Sequence, residues 1–102
     1  MAVDIASDSD FAHAVYQWLA AVPAGRVVSY GQLAKLAGYP RHARFVGRLM
    51  SHLPPDSRLP WWRVVRGDGD ITQGDRQKQK LIDEGVAVIG MKVRLGREGW
   101  AP

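Results

Sequence analysis

The sequence contains no cysteine among its 102 residues. Disulfides, thiolate metal sites and cysteine nucleophiles are therefore excluded. The three histidines, His13, His42 and His52, have no partners at metal-ligand spacing, so we expect neither a metal site nor a cofactor. No apolar run approaches the length of a membrane span, and no signal-peptide pattern opens the chain. These absences predict a soluble cytoplasmic protein without a membrane partner.

Acidic residues are missing from one long stretch of the chain. The net charge is +4, and residues 11–55 contain no Asp or Glu but five cations: Arg26, Lys35, Arg41, Arg44 and Arg48. An ordinary solvated surface mixes both signs, whereas a stretch of one sign attracts polyanions. The charge distribution favours nucleic acid as the partner class, which in a bacterium would associate the protein with the nucleoid. A plain solvated cationic surface is the alternative.

The length fits a single domain over residues 1–102, built around one core. Residues 7–10 (Ser-Asp-Ser-Asp) are candidate caps for a first helix, which Pro23 and Gly25 would end. The apolar residues of this helix recur at helical spacing: Phe11, Val15, Trp18, Leu19 and Val22.

A helix-turn-helix is predicted at about residues 30–52. Ser29 can cap a short helix from about Tyr30 to Ala37, and Gly38 suits the position after a helix end. The next helix would run from about Arg41 to His52. Two helices joined by a tight glycine-containing turn form a helix-turn-helix candidate.

The second of these helices has two faces. One face would pack on the core with His42, Phe45, Val46, Leu49 and Leu53. Arg41, Arg44 and Arg48 fall on a neighbouring sector, where they can lie along a phosphate backbone. Gly47 in a helix interior indicates either close approach by another backbone or close helix packing, and the pattern does not decide between them.

The second half of the chain predicts short strands and one more helix. Two β-prone runs around Gly67-Asp68-Gly69 predict a hairpin at about residues 63–72, the wing of a winged helix. A helix is predicted over about residues 75–84, a half-buried strand over 91–95, and Trp100 as an anchor for the tail. The fold class is therefore α/β, mainly α, of the winged helix-turn-helix type.

Four stretches follow one another in a specific order: 27–34 (Val-Val-Ser-Tyr-Gly-Gln-Leu-Ala), 37–38 (Ala-Gly), 43–47 (Ala-Arg-Phe-Val-Gly) and 60–65 (Pro-Trp-Trp-Arg-Val-Val). Over about residues 10–85 the chain resembles the C-terminal domain of O6-alkylguanine-DNA alkyltransferases. In those enzymes the last stretch reads Pro-Cys-His-Arg-Val, where the cysteine accepts the alkyl group and the histidine helps to generate its thiolate. With Trp61 and Trp62 at these positions, the chain resembles the non-catalytic alkyltransferase-like proteins.

The two tryptophans make alkyl transfer improbable on chemical grounds. Dealkylation of O6 needs a soft, activatable nucleophile, which a thiolate supplies best. An indole has no available nucleophilic lone pair, but it can stack and fill a cavity. We therefore expect a binding protein rather than an enzyme.

The resemblance implies a mode of action. The protein would bind double-stranded DNA containing O6-alkylguanine as a monomer, flip the damaged nucleotide into a pocket and mark it for nucleotide excision repair, whose proteins are the implied partners. Arg44 matches the arginine that takes the place of the flipped nucleotide, and Tyr30 matches the tyrosine that helps to rotate it. Arg41 and Arg48 are expected to contact phosphates.

The implied lesion pocket contains Tyr30, Trp61, Trp62, Val64, Val65 and Arg76. Burial beneath the pocket would explain Trp62 equally well, and a strand core would explain Val64 and Val65. Arg63 is expected to bond backbone carbonyls around the pocket. The loop before Arg76 is shorter than in relatives, where a loop arginine can pack on the bound purine; Arg76 is the nearest candidate for that role.

Two other functions stay open. A winged-helix regulator would prefer a DNA sequence rather than a lesion. An alkyltransferase with a non-cysteine acceptor would become alkylated by its substrate.

Overall fold

The order of helices and strands is taken from the computed structural model, which describes residues 4–54 and 56–102, with side chains from residue 10 onward. The helices are α1 (Asp4–Ala21), α2 (Tyr30–Leu36), α3 (Ala43–Ser51), α4 (Gly74–Asp83) and α5 (Leu95–Glu98), and a 3-10 helix spans Trp61–Arg63. The strands are β1 (Val28–Ser29), β2 (Val64–Val65), β3 (Val88–Ile89) and β4 (Lys92–Val93). The fold is α/β and mainly α, and within the described residues no helix has the length and apolar character needed to cross a membrane.

Helix α1 begins earlier than the sequence predicts. Residues 7–10 are not its cap, because the helix begins at Asp4 and includes them. No glycine or proline lies between Asp4 and Asp10, and the capping preference of serine and aspartate is too weak to stop a helix by itself. Beyond residue 10 the predicted apolar face is confirmed, with four of its members buried: Phe11, Val15, Leu19 and Val22.

The turn of the helix-turn-helix is built as predicted. The Ser29 hydroxyl caps α2 by accepting a hydrogen bond from the Gln32 N–H at 3.0 Å. At the other end Gly38 takes a φ of +92°, and the Tyr39 N–H donates to the Ala34 carbonyl at 2.9 Å. This is the hydrogen-bond pattern with which glycine ends a helix, and it turns the chain toward α3.

Helix α3 begins two residues later than predicted and buries a narrower face. Residues 39–42 form a turn, in which the His42 N–H donates to the Tyr39 carbonyl at 2.9 Å. Val46 and Met50 are buried. Phe45 is 46% exposed, so its prediction as a core residue is wrong. Its ring lies at the edge of the core, 6.4 Å from the ring centroid of Phe11.

The predicted hairpin over residues 63–72 does not form. Strand β2 pairs in parallel with β1, with Val28 opposite Val64 and Ser29 opposite Val65. The turn itself is present, closed by a 2.8 Å hydrogen bond from the Gly69 N–H to the Arg66 carbonyl. After the turn, the Ile71 N–H donates to the Met91 carbonyl at 2.8 Å, beside the antiparallel pair β3–β4. Because β2 is buried on both faces, it suits parallel pairing inside the protein better than an exposed wing.

Two buried clusters divide the interior. The first joins α1, α2 and α3, and it includes Val15, Leu19, Leu33 and Val46. The second lies under α4 and the C-terminal strands, with Val27, Val65, Ile71, Leu81, Val86 and Val93 as its buried residues. Helix α4 begins and ends one residue earlier than predicted, and Gly85, with a φ of +87°, follows its C-cap Glu84.

The C-terminal segment is held as predicted at Trp100. The backbone N–H of Trp100 donates to the Val27 carbonyl at 2.8 Å, and its backbone carbonyl accepts a 2.6 Å hydrogen bond from the Gln32 side chain. The ring lies 6.3 Å from that of Trp18. The alternation over residues 91–95 holds for Lys92, which is exposed, and Val93, which is buried, whereas Leu95 begins α5.

Gly69 and Gly38 allow backbone strain to be separated from steric clash. Both have a φ of +92°, but a Cβ on Gly69 would collide with the Val93 carbonyl oxygen, whereas a Cβ on Gly38 would meet none of the described atoms within 4 Å. We expect Gly38→Ala to lower the free energy of unfolding by about 1–2 kcal/mol and Gly69→Ala by about 3 kcal/mol or more. Urea denaturation measures both values, and equal losses would contradict the assignment of the clash.

Candidate nucleic-acid interface and pocket

Helix α3 presents a cationic face to solvent. Arg44 and Arg48 are exposed on the helix, and Arg41 is exposed in the turn before it. Among the described residues, Arg41 and Arg44 have no hydrogen-bond or ion-pair partner for their side chains, and the Arg48 guanidinium lies over the Phe45 ring at 5.4 Å. Guanidinium groups in this state are available to phosphate oxygens.

Gly47 lies on the same helix, and none of the described residues packs closely against it. A Cβ at this position would meet no atom of another described segment within 4 Å, so close packing against the other described helices does not explain the glycine. Arg44, Gly47 and Ser51 follow one another at i, i+3 and i+7, which places them on one face of α3. The absence of a side chain lets another molecule approach the backbone of α3 beside Arg44.

A cavity of about 170 Å³ opens at the C-terminal end of α3. Its lining comes from α3, the chain after it, the 3-10 helix and the start of α4: Met50, Ser51, Leu53, Pro54, Trp61, Gln73 and Arg76. The Arg76 guanidinium lies 5.4 Å from the centroid of the Trp61 ring, in cation–π geometry. An indole and a guanidinium on one cavity wall offer flat surfaces to a planar aromatic group.

Of the six residues predicted for the pocket, Trp61 and Arg76 lie together on the cavity wall. Val64 and Val65 do not form its floor, because they are 1% and 0% exposed within the two core clusters. Successive side chains of a strand point to opposite faces, so β2 gives Val64 to the first cluster and Val65 to the second.

Trp62 and Tyr30 also lie outside the cavity lining. The Trp62 indole packs against the second cluster. Its ring centroid lies 5.8 Å from that of Trp61, and the two rings are nearly perpendicular. Its N–H donates to Glu84 Oε2 at 2.9 Å, so burial beneath the pocket is the better account of this residue. The Tyr30 ring packs against the first cluster, and its hydroxyl shares a 2.8 Å hydrogen bond with the Thr72 hydroxyl.

The Glu84 carboxylate connects three separate segments. It accepts hydrogen bonds from the Gly25 N–H at 3.1 Å, from Trp62, and from Arg63 at 2.5 Å. Arg63 also donates to the Val22 carbonyl at 2.8 Å, so it bonds a backbone carbonyl as predicted, but one that lies outside the cavity lining. Burial by itself raises the pKa of Glu84, but the hydrogen bonds from Arg63, Gly25 and Trp62 outweigh it and hold this pKa below its ordinary value.

Gln77 is a fully buried polar side chain that holds the pocket segments together. Its amide nitrogen donates to the Trp62 carbonyl at 3.1 Å and to the Val64 carbonyl at 2.8 Å. Its amide oxygen accepts from the Gln73 N–H at 2.9 Å. One side chain of α4 therefore fixes both the strand that follows Trp61 and the short loop that carries Gln73.

Sequence reasoning missed the structural roles of Glu84 and Gln77, although each left a signal. A carboxylate at a helix C-terminus is unfavourable for the helix dipole, so Glu84 at the end of α4 needed a tertiary partner. Gln77 lies four residues before Leu81, on the helix face that points to the core. Its polar character concealed that placement.

Comparisons with known proteins agree with this geometry. Residues 10–86 match the family described as the DNA-binding domain of 6-O-methylguanine DNA methyltransferase. The DNA base-flipping protein of Vibrio parahaemolyticus is 48% identical over 87 residues, covering 79% of this chain and 86% of that protein. Alkyltransferase-like protein 1 of Schizosaccharomyces pombe is 39% identical over 104 residues, covering 91% of this chain and 96% of that protein. The crystal structure of S. pombe Atl1 in complex with damaged DNA containing O6-carboxymethylguanine matches with a TM-score of 0.86 at 35% identity, covering 92% of this chain and 97% of that one.

The lowered pKa of Glu84 predicts a loss of stability in acid. The unfolded carboxyl, with an ordinary pKa of 4.5, binds a proton before the folded one does, so the contribution of Glu84 is complete above that pH and is lost as the pH falls through the folded-state pKa. We expect Glu84→Gln to lower the free energy of unfolding by on the order of 3 kcal/mol near pH 7. The free energy of unfolding of this variant should also depend less on pH in the acid range than that of the wild-type protein. Urea denaturation from about pH 7 to pH 3 measures both effects.

The matched control is Asp83→Asn, which removes an exposed carboxylate one residue earlier in the chain. It should leave most of the acid dependence in place. If Glu84→Gln and the wild-type protein lost the same stability on acidification, the hydrogen bonds of Glu84 would not be the source of the effect.

Proposed function

Since the chain belongs to the family of the 6-O-methylguanine DNA methyltransferase DNA-binding domain, we propose that it binds DNA containing O6-alkylguanine and rotates the damaged nucleotide into the cavity beside Trp61 and Arg76. The observation that carries this proposal is that a cavity with a flat indole wall adjoins a cationic helix. The solved relative from S. pombe, which is bound to damaged DNA, supports the proposal.

The proposed complex uses each group for what its chemistry allows. Arg41 and Arg48 neutralise phosphates on the exposed side of the helix-turn-helix. Arg44 enters the space that the flipped nucleotide leaves, where its guanidinium can stack and donate hydrogen bonds to the unpaired base. Tyr30 crowds the backbone of the rotated nucleotide. Extruding a base costs a few kcal/mol, and less where the lesion already pairs badly, so part of the selectivity arises before the cavity is filled.

Alkyl transfer is not part of the proposed function. The chain has no cysteine, and the Trp62 indole N–H is occupied by Glu84, where it can donate a hydrogen bond but cannot relay a proton. Ser51 brings a hydroxyl to the cavity wall, but this hydroxyl donates to the Arg48 carbonyl at 2.9 Å. The neighbouring His52 Nδ1 lies 2.7 Å from the same carbonyl and must carry a proton there, so it is no general base for Ser51.

The proposed biological role is to mark a lesion. A tight binder without chemistry leaves the lesion in place, and we propose that the bound protein acts as a monomer in the cytoplasm and passes the site to nucleotide excision repair. The cavity is partly open to solvent, which favours tolerance of alkyl groups of more than one size.

Two duplexes of one sequence, with and without a single O6-methylguanine, test lesion recognition. We expect the lesion duplex to bind at least tenfold more tightly in a fluorescence-anisotropy titration, because the flipped base fills the cavity and the mispaired lesion opens more easily. Equal affinities would favour a sequence-specific regulator. Mass spectrometry of the protein after incubation should show no added mass, and a gain of one methyl group would identify a transferase instead.

Arg44 and Arg48 separate flipping from phosphate binding. Arg44→Ala should abolish the rise in 2-aminopurine fluorescence at the target position, because no side chain then holds the vacated space, while salt-dependent duplex binding remains. Arg48→Ala is the matched variant on the same helix face. It should weaken damaged and undamaged duplexes alike and reduce the salt slope by about one. Flipping that survives Arg44→Ala would refute the assignment of Arg44.

A further inference from the structure

Phe45 is an exposed aromatic residue on a helix whose other exposed side chains are mostly cationic. Among the described residues, the exposed large hydrophobic side chains are Phe45, Ile82, Ile89 and Met91, and Phe45 alone of these lies on α3. Its ring is 46% exposed, whereas Val46 and Met50 on the same helix are buried. An apolar ring in that position is typical of a contact surface.

The ring of Phe45 is held in place from below. Its centroid lies 5.1 Å from that of His42 and 6.4 Å from that of Phe11, and Phe11 in turn packs edge-on against Tyr39 at 5.0 Å. Phe11 is buried, so the inner side of this aromatic group belongs to the core. A ring fixed in this way loses little conformational freedom when it makes a contact.

Phe45 and the cavity lie on opposite flanks of α3. At 3.6 residues per turn, Phe45 and Gly47 are about 160° apart around the helix, and Arg44 and Arg48 lie between them. Ser51 and Met50, which line the cavity, lie on the Gly47 side of Arg44, about 120° and 140° from Phe45. The cavity is therefore on one flank, Phe45 is on the other, and Arg44 lies in the middle.

The order of these features around α3, with the cavity first, then Arg44 and then Phe45, corresponds to the order of groups in a duplex from which one nucleotide has been flipped. The cavity receives the flipped nucleotide of the damaged strand, and Arg44 occupies the vacated space. The flank beyond Arg44 then faces the other strand. We propose that Phe45 contacts the strand opposite the flipped nucleotide, an inference that rests on the proposed function and adds a second-strand contact to it.

The chemistry of this flank suits a nucleotide. A phenyl ring offers an apolar, polarisable face to a base or to a deoxyribose, and stacking on an aromatic side chain tolerates any base. The Arg48 guanidinium, 5.4 Å from the centroid of the same ring, can leave it for a phosphate of the same strand. Phe45 and Arg48 together would then hold one strand by its apolar and its charged parts.

Site-directed photo-cross-linking tests the strand assignment. The variant Phe45→p-benzoylphenylalanine is bound to an O6-methylguanine duplex whose two strands carry different fluorophores. The matched variant is Ser51→p-benzoylphenylalanine, on the cavity flank of the same helix. We expect position 45 to cross-link to the strand opposite the lesion and position 51 to the damaged strand. Cross-links from position 45 to the damaged strand, or none from a complex that anisotropy reports as formed, would overturn the proposal.

Affinity provides the second measurement. Phe45→Ala should weaken binding of the lesion duplex by about 5- to 150-fold, the range measured for loss of one aromatic stacking partner. Phe45→Leu should lose less affinity than Phe45→Ala, because leucine keeps apolar surface at this position although it lacks the ring. Ile89→Ala removes an apolar side chain that is 66% exposed on β3, and it should bind as the wild-type protein does. An unchanged affinity in Phe45→Ala refutes the contact.

The outcomes distinguish this inference from the function on which it rests. Equal binding of the two duplexes by the wild-type protein refutes lesion recognition itself. A wild-type protein that prefers the lesion, together with Phe45 variants that bind normally, refutes the second-strand contact alone. Because Phe45 is half buried against His42 and Phe11, its replacement should lower the thermal midpoint of unfolding by several degrees, so affinities are compared at a temperature well below the midpoint of each variant.

Discussion

The carboxylate of Glu84 is the interaction on which the arrangement of the site depends. Its hydrogen-bond donors come from the chain after α1, at Gly25, and from the Trp-Trp-Arg segment, and Arg63 in turn donates to the carbonyl of Val22. These groups are far apart in sequence, and the second core cluster alone would not fix their orientation, because apolar packing is not directional. The carboxylate sets the position of Trp62, and the perpendicular contact of the two indoles then sets the position of Trp61.

The segment 61–65 lies on the boundary between the two core clusters. Trp61 and Val64 pack against the first cluster, whereas Trp62 and Val65 pack against the second. The first cluster also carries α3, with its cationic face and one wall of the cavity. The second cluster provides the support beneath, through Glu84 and α4. The binding surface thus lies mainly on the first cluster and its support mainly on the second, while α4 also brings Arg76 to the cavity wall; the two clusters meet at a strand of two residues.

Features fixed by local hydrogen bonds could be predicted from the sequence, whereas most of those fixed by distant partners, Trp100 excepted, could not. Ser29, Gly38 and Gly85 mark helix ends, because each acts on residues within one turn of itself. The pairing of Val64 with Val28 joins residues 36 positions apart, while the Asp68-Gly69 signal for a hairpin is purely local and misled the prediction. Within the site, Trp61 and Arg76 were identified by resemblance. Glu84 escaped notice because its hydrogen bond to Gly25 spans 59 residues.

Gln77 has a consequence for the kinetics of the proposed complex. Its three hydrogen bonds tie the strand after Trp61 and the loop at Gln73 to α4 before any ligand arrives. The main chain at Trp62, Val64 and Gln73 is therefore ordered before a base enters, and the entropy that a flexible loop would lose there on closing is already accounted for in folding. We expect a rigid, open-sided cavity of this kind to admit bases with different O6-alkyl groups at similar rates. The time for which each base stays bound should differ more. Different O6-alkyl groups would then be sorted by the lifetime of the bound state rather than by the rate of capture.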